Sequence, residues 1–259
     1  MTPFRILAAA TLLFATLRLA AADPSGAPET EFNPLPEHLQ GQMVHLSTAA
    51  GHRFQAYVTG SDDADRGVVL VHDRFGLTRS VQAWADRFAN LGYRALAVDL
   101  YGGRVTDDED QADAWARQVK QPRADAELVV ALKAVQAPGR PVAVMGWGFG
   151  ARQALRLALL RPDAVAATVM YYGAPVTDPD RLSGLVGPVL GVFALHDSRV
   201  SPDRVAAFWR AMNKDDRPLE LHVYNTDRGF ADPSGPGYDG VVTQAAWAVT
   251  RAFLDGALQ

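Results

Sequence analysis

The sequence predicts an α/β protein with a mainly parallel, doubly wound sheet and helices on both faces. Short apolar runs rich in β-branched residues, such as 67–72 and 141–145, are typical of strands buried on both sides. Between such runs, apolar residues recur at helical spacing, as do Val81, Trp84 and Phe88. Strands that alternate with helices form parallel sheets with right-handed crossovers. Ligand sites in these sheets lie at the carboxyl ends of the strands, so function is expected there.

Each element is predicted from local signals. The strands are predicted at 42–47, 52–58, 67–72, 93–98, 141–145, 165–171, 189–195 and 219–224. The helices are predicted at about 81–91, from 106 toward 120, and at 125–135, 151–160, 202–212 and 241–254. Thr106 and Glu109 form a T-x-x-E capping box for the second helix, and Pro122 interrupts the chain before the third. Ser201 caps the 202–212 helix, with Pro202 at its first position.

The N-terminus predicts a secretory signal peptide over residues 1–22. Arg5 supplies a positive start, residues 6–17 supply an apolar core, and three alanines before Asp23 form a small-residue cleavage site. The apolar run is shorter than the roughly 20 residues that a membrane-spanning helix needs. We therefore expect an exported protein, in a bacterial periplasm or outside the cell, with no integral membrane span.

We expect the chain after residue 22 to consist of a mobile leader at 23–40 and one domain at 41–259. Its composition excludes several kinds of site and partner. The chain has no cysteine, which excludes disulfides, thiolate metal sites and a cysteine nucleophile. Residues 1–22 carry two arginines and no acid, so the net charge of −4 becomes −6 after cleavage. An acidic chain without a basic tract predicts no nucleic-acid partner. No nucleotide-binding motif stands in the right context, so no cofactor is expected.

A glycine-rich turn follows the strand at 141–145. Gly146, Gly148 and Gly150 form a G-x-G-x-G sequence between that strand and a helix. The frame resembles the nucleophile elbow of α/β-hydrolases, whose middle residue carries the attacking side chain. Gly148 holds that middle position and has no side chain, so it cannot attack a carbonyl.

Five further motifs stand at predicted strand ends, and with this turn they resemble the dienelactone hydrolase family. In chain order they are His72-Asp73-Arg74-Phe75-Gly76, Asp99-Leu100-Tyr101-Gly102-Gly103-Arg104, Tyr171-Tyr172-Gly173, His196-Asp197-Ser198-Arg199-Val200-Ser201-Pro202 and Arg228-Gly229-Phe230-Ala231-Asp232-Pro233. They follow the family order over about residues 42 to 254. The resemblance implies a single-domain α/β-hydrolase fold and hydrolysis of esters or lactones by a nucleophile, a histidine and an acid.

The resemblance also implies a role for particular positions. The acid position is held by Asp197, the nucleophile position by Gly148 and the histidine position by Arg228. The oxyanion hole is expected from the backbone N–H groups of Phe149 and Arg74. Two of the three catalytic groups are therefore replaced.

Three more residues are expected to line the cleft. Asp73 matches a position near the nucleophile that is typically glutamate, and Arg104 matches one that faces a substrate carboxylate. Arg74 and Arg228 would join Arg104 in binding an anion, whereas the alternative leaves Arg74 and Arg104 in solvent or paired to surface acids. Trp147 lies inside the elbow and either fills the mouth of the pocket or stacks on a flat ligand.

These replacements argue against acyl transfer, which needs a nucleophile and a base that removes its proton. An arginine side chain, with a pKa above about 12, stays protonated at any working pH. Arg228 therefore cannot be the base, and we expect it to form an ion pair with Asp197. The leading hypothesis is a catalytically degenerate exported family member, a pseudoenzyme whose inherited cleft binds a small carboxylate or a protein partner.

Two alternatives stay open. The first is an active ester or lactone hydrolase with another nucleophile and base. Ser198 and Ser201 flank the acid position, but neither lies on the elbow. His72 and His196 are each followed by an aspartate, which suggests a metal site with imidazole and carboxylate ligands. Adjacent strand residues point to opposite faces, however, so no metal is expected. The second alternative is a purely structural or assembly protein.

Overall fold

A computed structural model describes residues 17–19 and 35–259 of the chain. The strands are β1 (Leu17–Leu19), β2 (Gln42–Ser47), β3 (Arg53–Thr59), β4 (Arg66–Val71), β5 (Tyr93–Val98), β6 (Val142–Trp147), β7 (Ala167–Tyr171), β8 (Val189–His196) and β9 (Leu219–Asp227). The helices are α1 (Arg79–Asn90), α2 (Glu109–Gln118), α3 (Gln121–Val135), α4 (Phe149–Leu160), α5 (Pro179–Leu182), α6 (Pro202–Asn213) and α7 (Gly240–Ala257).

Among the described residues, nine strands form one sheet in the order β1-β9-β8-β7-β6-β4-β5-β3-β2. β3 pairs antiparallel with β2 and with β5. The other neighbouring strands are parallel. The predicted doubly wound α/β fold is therefore confirmed, with an antiparallel extension at one edge.

Two apolar cores cover the two faces of the sheet. On one face Trp84 of α1 and Leu254 of α7 are buried against the strands. On the other face the buried side chains include Leu128 of α3, Leu155 of α4 and Phe208 of α6. Burial on both faces explains why β4 and β6 are continuous apolar runs rather than alternating ones.

The predicted capping box of the second helix is wrong by two residues. The side chain of Asp108 accepts a hydrogen bond from the N–H of Gln111 at 2.7 Å, so Asp108 is the N-cap of α2. Thr106 instead accepts from the N–H of Asp108, at 3.1 Å, in the turn before the helix. Glu109 becomes the first residue of α2, and its carboxylate is free to reach another part of the fold.

Two other elements differ from expectation. α3 begins at Gln121 rather than at 125, with Pro122 inside its first turn. Proline fits there because the first helical N–H groups have no partner within the helix. The short helix α5 was not predicted, because four residues are too few to show a helical repeat.

The N-terminal segment meets the sheet at its edge. Residues 17–19 form β1, which pairs parallel with β9 over three residues. They lie within the predicted signal peptide, so cleavage before Asp23 would remove this edge strand. The rest of that signal peptide and most of the predicted leader lie outside the described residues. Within the described part of the chain, no helix has the length and apolar character to span a membrane.

Candidate functional site

The carboxyl ends of four parallel strands surround one turn of the backbone. Asp73 follows β4, Gly148 joins β6 to α4, Asp197 follows β8, and Arg228 follows β9. Asp73 and Arg228 both reach Gly148, and Arg228 is bonded in turn to Asp197. The structure thus brings these four residues together at the edge of the sheet where ligands of such folds bind.

The turn at Gly148 has the backbone conformation of a tight strand-to-helix elbow. Gly148 has φ 49° and ψ −106°, which glycine adopts at little cost and other residues rarely adopt. Its N–H donates to the carbonyl of Tyr171 at 2.9 Å. Gly150 lies so close to β4 that a Cβ atom would overlap the carbonyl oxygens of Val71 and His72. The glycines of the motif therefore press the start of α4 against the end of β4.

The space in which a nucleophile would begin is already occupied. A Cβ atom built on Gly148 would overlap the carboxylate of Asp73 on one side and Nη2 of Arg228 on the other. Neither side chain can remain in place if residue 148 carries a side chain of its own. Gly148 is therefore required by its neighbours as well as by its backbone angles.

The predicted oxyanion-hole donors converge on the same carboxylate. Oδ1 of Asp73 accepts the backbone N–H of Arg74 at 2.7 Å and that of Phe149 at 3.0 Å. These are the two N–H groups that were expected to form the oxyanion hole. The negative charge that they stabilise here is the carboxylate of Asp73.

Asp73 also caps a helix. Phe149 is the first residue of α4, and the N-cap Gly148 has no side chain with which to satisfy it. A carboxylate at a helix N-terminus gains about 0.3–1 kcal/mol from the helix dipole. Each charge-assisted hydrogen bond adds roughly 1.5–3 kcal/mol, compared with about 0.5–1.5 kcal/mol for a bond to a neutral carbonyl. Asp73 is therefore a stronger partner for these donors than an ester carbonyl would be.

The expected ion pair between Asp197 and Arg228 is present. Oδ2 of Asp197 accepts from Nη1 of Arg228 at 3.1 Å, and this nitrogen also donates to the carbonyl of Tyr172 at 2.5 Å. Oδ1 of Asp197 accepts the N–H groups of Arg199 and Val200 at 2.7 and 3.1 Å. The Asp197 side chain is 1% exposed and that of Arg228 is 14% exposed. Removing one partner of such a buried pair typically costs about 3–5 kcal/mol.

A second set of ion pairs forms the wall of the site. The guanidinium of Arg74 donates to Asp113 at 3.0 Å and to Glu109 at 2.8 Å. Arg199 donates to both oxygens of Asp113 at 3.1 and 2.9 Å. Burial opposes ionisation of Asp113, but the hydrogen bonds from Arg199 and Arg74 outweigh it and hold the pKa of this carboxyl below its usual value. This ionised bridge ties α2 to the loops after β4 and β8.

A cavity of about 480 Å³ opens beside Gly148. Its charged lining residues are Asp73, Arg74, Asp113, Arg117, Arg152, Arg199 and Arg228. Cationic side chains thus outnumber anionic ones in its wall. A volume of this size suits a small organic ligand.

Comparison with known proteins identifies the family. Residues 54–258 match the model of the dienelactone hydrolase family. The chain belongs to the dienelactone hydrolase family. It is 25% identical over 226 residues to the protein usf of Aquifex pyrophilus, covering 83% of this chain and 97% of that protein. A dienelactone hydrolase-like promiscuous phosphotriesterase from metagenomic libraries has a similar fold, with TM-score 0.73 and 21% identity, covering 85% of this chain and all of that one.

Two residues that were expected to line the cleft have other surroundings. Arg104 is exposed, its guanidinium lies 4.6 Å from the ring centroid of Trp115, and its Nε donates to the carbonyl of Tyr101 at 3.0 Å. It is not among the residues that line the cavity beside Gly148. Trp147 is only 3% exposed and packs against Trp84, with ring centroids 5.2 Å apart. It neither closes the mouth of this cavity nor offers a face to a ligand there.

His72, His196 and Ser201 have structural contacts. Nε2 of the buried His72 accepts the N–H of Leu100 at 3.1 Å, while Nδ1 bonds the carbonyl of Asp73 at 2.6 Å. Accepting at one nitrogen and donating at the other requires a neutral ring. His196 bonds Asn225, and Ser201 caps α6 as predicted. The described residues include no cluster of ligating side chains that could hold a metal ion.

Sequence reasoning missed three contributors to the site. Asp113 lies in the middle of α2, where no motif marks it, and Arg199 lies inside a recognised motif without an expected role. Tyr172 has φ 38°, which costs a non-glycine residue about 1–3 kcal/mol, and its carbonyl accepts from Arg228. Burial raises the pKa of Tyr172 well above its usual value, so its hydroxyl stays protonated. The motif Tyr171-Tyr172-Gly173 was the available signal for this turn.

We predict that Gly148→Ala lowers the free energy of unfolding by about 2–4 kcal/mol, through backbone strain and displacement of Asp73 and Arg228. Gly139→Ala is the matched control, because Gly139 also has a positive φ but no atom within 4 Å of an added Cβ. Strain alone should cost the control about 1–2 kcal/mol. If urea unfolding showed the same loss in free energy of unfolding for both variants, the space at Gly148 would not be tightly occupied.

We also predict a pH dependence from His72. Burial lowers the pKa of this ring, so the unfolded chain takes up a proton more readily than the folded one. Its stabilising contribution is complete above the free-histidine pKa of about 6.5 and is lost as pH falls below it. Stability measured from pH 7 to 5 should therefore fall less steeply for His72→Gln than for the wild type. A His72→Gln slope equal to that of the wild type would contradict the assignment.

Proposed function

We propose that this chain is a non-hydrolytic member of the dienelactone hydrolase family, exported from the cytoplasm, whose cleft binds small carboxylates. The observation that carries the proposal is the position of Asp73. Its carboxylate accepts both N–H groups of the predicted oxyanion hole and lies against the side-chain-less Gly148. A site arranged in this way favours binding over acyl transfer.

The loss of the nucleophile and of the base supports the proposal first. Gly148 offers no attacking atom, and the guanidinium of Arg228 is committed to Asp197 and to the carbonyl of Tyr172. A protonated arginine in a buried ion pair cannot accept a proton. Asp197 therefore stabilises a fixed cation instead of orienting a histidine.

The position of Asp73 at the predicted oxyanion-hole donors is the second support for the proposal. A substrate carbonyl would have to displace Asp73 from two charge-assisted hydrogen bonds before it could reach the donors. If Asp73 stayed nearby, its charge would repel the negative charge that develops on the substrate oxygen. Losing one such donor costs about 10²–10³ in kcat in a well-studied protease.

An unconventional hydrolase remains the alternative function. Within the described part of the chain, no serine hydroxyl is hydrogen-bonded to a histidine ring, and His72 and His196 have other partners. An activity assay decides between the two functions.

The cavity beside Gly148 supports a small anionic ligand. Its wall has five arginines and two aspartates, and a concave volume of about 480 Å³ suits a small molecule better than the surface of a protein partner. Guanidinium groups bind carboxylates through two parallel hydrogen bonds. The ligand class that we propose is therefore a small carboxylate.

To test hydrolysis, we predict that the wild type turns over p-nitrophenyl acetate no faster than a heat-denatured control. The double variant Gly148→Cys/Arg228→His restores a thiol and an imidazole, and its new side chain at 148 pushes the Asp73 carboxylate aside but leaves that charge close to the two N–H donors. Adding Asp73→Gly should raise its rate at least about tenfold, because the carboxylate no longer competes with the substrate for these donors.

Asp107→Gly on the double variant is the matched control, since Asp107 is an exposed acid of the loop before α2. It should leave the rate of the double variant unchanged. Thermal unfolding of each variant verifies that it is folded. Wild-type turnover above the denatured control that is lost in Asp197→Ala would replace the proposal with the hydrolase alternative.

Export is tested separately on the full chain. Expressed in a bacterium, it should reach the periplasm or medium with Asp23 as its first residue, as read by intact-mass spectrometry. Leu12→Glu/Leu13→Glu interrupts the apolar core of the predicted signal and should leave an unprocessed protein in the cytoplasm. Wild-type protein that keeps residues 1–22 inside the cell would contradict the export proposal.

A further inference from the structure

A second cavity adjoins the one beside Gly148. Its volume is about 500 Å³, and it shares five lining residues with the first, namely Gln121, Arg152, Gln153, Ala174 and Arg199. Together the two cavities form one continuous depression, which runs from the elbow along α4 toward α5. We call this depression the arginine groove.

The groove concentrates positive charge on an acidic protein. Its lining holds eight arginines and three aspartates, in a chain whose net charge is −4. The arginines are Arg74, Arg117, Arg152, Arg156, Arg181, Arg199, Arg204 and Arg228. Arginines thus outnumber acids in the lining of this concave surface, which favours ligands of negative charge.

Several of these arginines are held in place by protein groups. Arg156 donates to both oxygens of Asp125, at 2.5 and 2.6 Å, and Arg204 donates to the carbonyl of Pro175 at 3.1 Å. Arg74, Arg199 and Arg228 are fixed by the ion pairs described above. These contacts form a rigid frame for the groove, because each guanidinium is oriented by an acceptor.

Three other arginines have no such partner. Arg117 of α2, Arg152 of α4 and Arg181 of α5 are exposed, and no described residue forms a hydrogen bond or an ion pair with their side chains. Arg117 lines the first cavity, Arg181 lines the second, and Arg152 lines both. Unpaired guanidinium groups therefore face both parts of the groove.

We propose that the arginine groove binds an elongated small molecule that carries at least two phosphate or carboxylate groups. A single anionic group would satisfy the guanidinium groups of one part and leave those of the other without a partner. Phosphate and carboxylate share the planar pair of acceptor oxygens that a guanidinium fork recognises. The inference rests on the proposed function in one respect, since it takes ligand binding as the task of the cleft.

The lining argues for a small molecule rather than a nucleic acid. Single-stranded nucleic acids are usually bound by stacking successive bases on aromatic side chains. Among the described residues that line the two cavities, Phe149 is the single aromatic one. The groove thus offers charge without a stacking platform.

The test is isothermal titration calorimetry of the full chain at low salt, with tripolyphosphate, citrate, inorganic phosphate and acetate as probes. We expect tripolyphosphate or citrate to bind at least about tenfold more tightly than the corresponding single-group anion. Tight binding of tripolyphosphate alone assigns a phosphorylated ligand, and tight binding of citrate alone assigns a polycarboxylate. The proposal would be overturned if the single-group anions bound as tightly as tripolyphosphate and citrate. It would also be overturned if a short oligonucleotide bound more tightly than either of these two.

Three variants locate the binding. Arg152→Ala should weaken the binding of every probe, because Arg152 lines both cavities. Arg181→Ala should weaken the binding of tripolyphosphate and citrate only. Arg53→Ala is the matched control, since Arg53 is an exposed arginine on β3 that lines neither cavity. A loss in Arg53→Ala equal to that in Arg181→Ala would reduce the result to nonspecific attraction and reject the groove.

The failures of the two proposals are distinguishable. Ester turnover together with arginine-dependent binding of polyanions would reject the non-hydrolytic function and leave the groove intact. An inactive protein that binds acetate but shows no preference for polyanions would reject the groove and leave the proposed function intact.

Discussion

The two hydrogen bonds from the backbone of Arg74 and Phe149 to the carboxylate of Asp73 organise the candidate site. They satisfy the first N–H of α4, join the end of β4 to the elbow, and put a negative charge where a substrate oxyanion would lie. This arrangement requires glycine at 148, because any side chain there would overlap Asp73 and Arg228. The glycine at 148 and the position of the Asp73 carboxylate are therefore parts of one arrangement.

A second constraint is the buried carboxylate of Asp197, which holds the acid position that the family resemblance implies. A buried carboxylate without a partner is unfavourable, and Asp197 is satisfied by two backbone N–H groups and the guanidinium of Arg228. Two further arginines, Arg199 and Arg152, line both cavities of the arginine groove. The chain thus keeps the fold of the dienelactone hydrolase family, with arginine side chains around the cavity beside Gly148. Fold and activity are separable in this way because chemistry belongs to the site.

The fold and part of the site could be predicted from sequence for physical reasons. Buried parallel strands produce unmistakable apolar runs, and the pairing of Asp197 with Arg228 follows from opposite charges at neighbouring strand ends. The position of the Asp73 side chain could not be predicted, because it depends on backbone donors that folding brings together. The position of Arg104 could not be predicted from its motif, because its guanidinium lies on the ring of Trp115, a residue of α2 outside that motif. Trp147 was misplaced because the packing around Trp84 draws its ring into the core.

The most direct test is a crystal structure of the wild-type protein with acetate in the crystallisation medium. We expect Oδ1 of Asp73 within hydrogen-bond distance of the N–H groups of Arg74 and Phe149, with acetate bound at the arginines instead. Asp73 turned away, with acetate or water bonded to those two N–H groups, would show that the carboxylate does not hold the site.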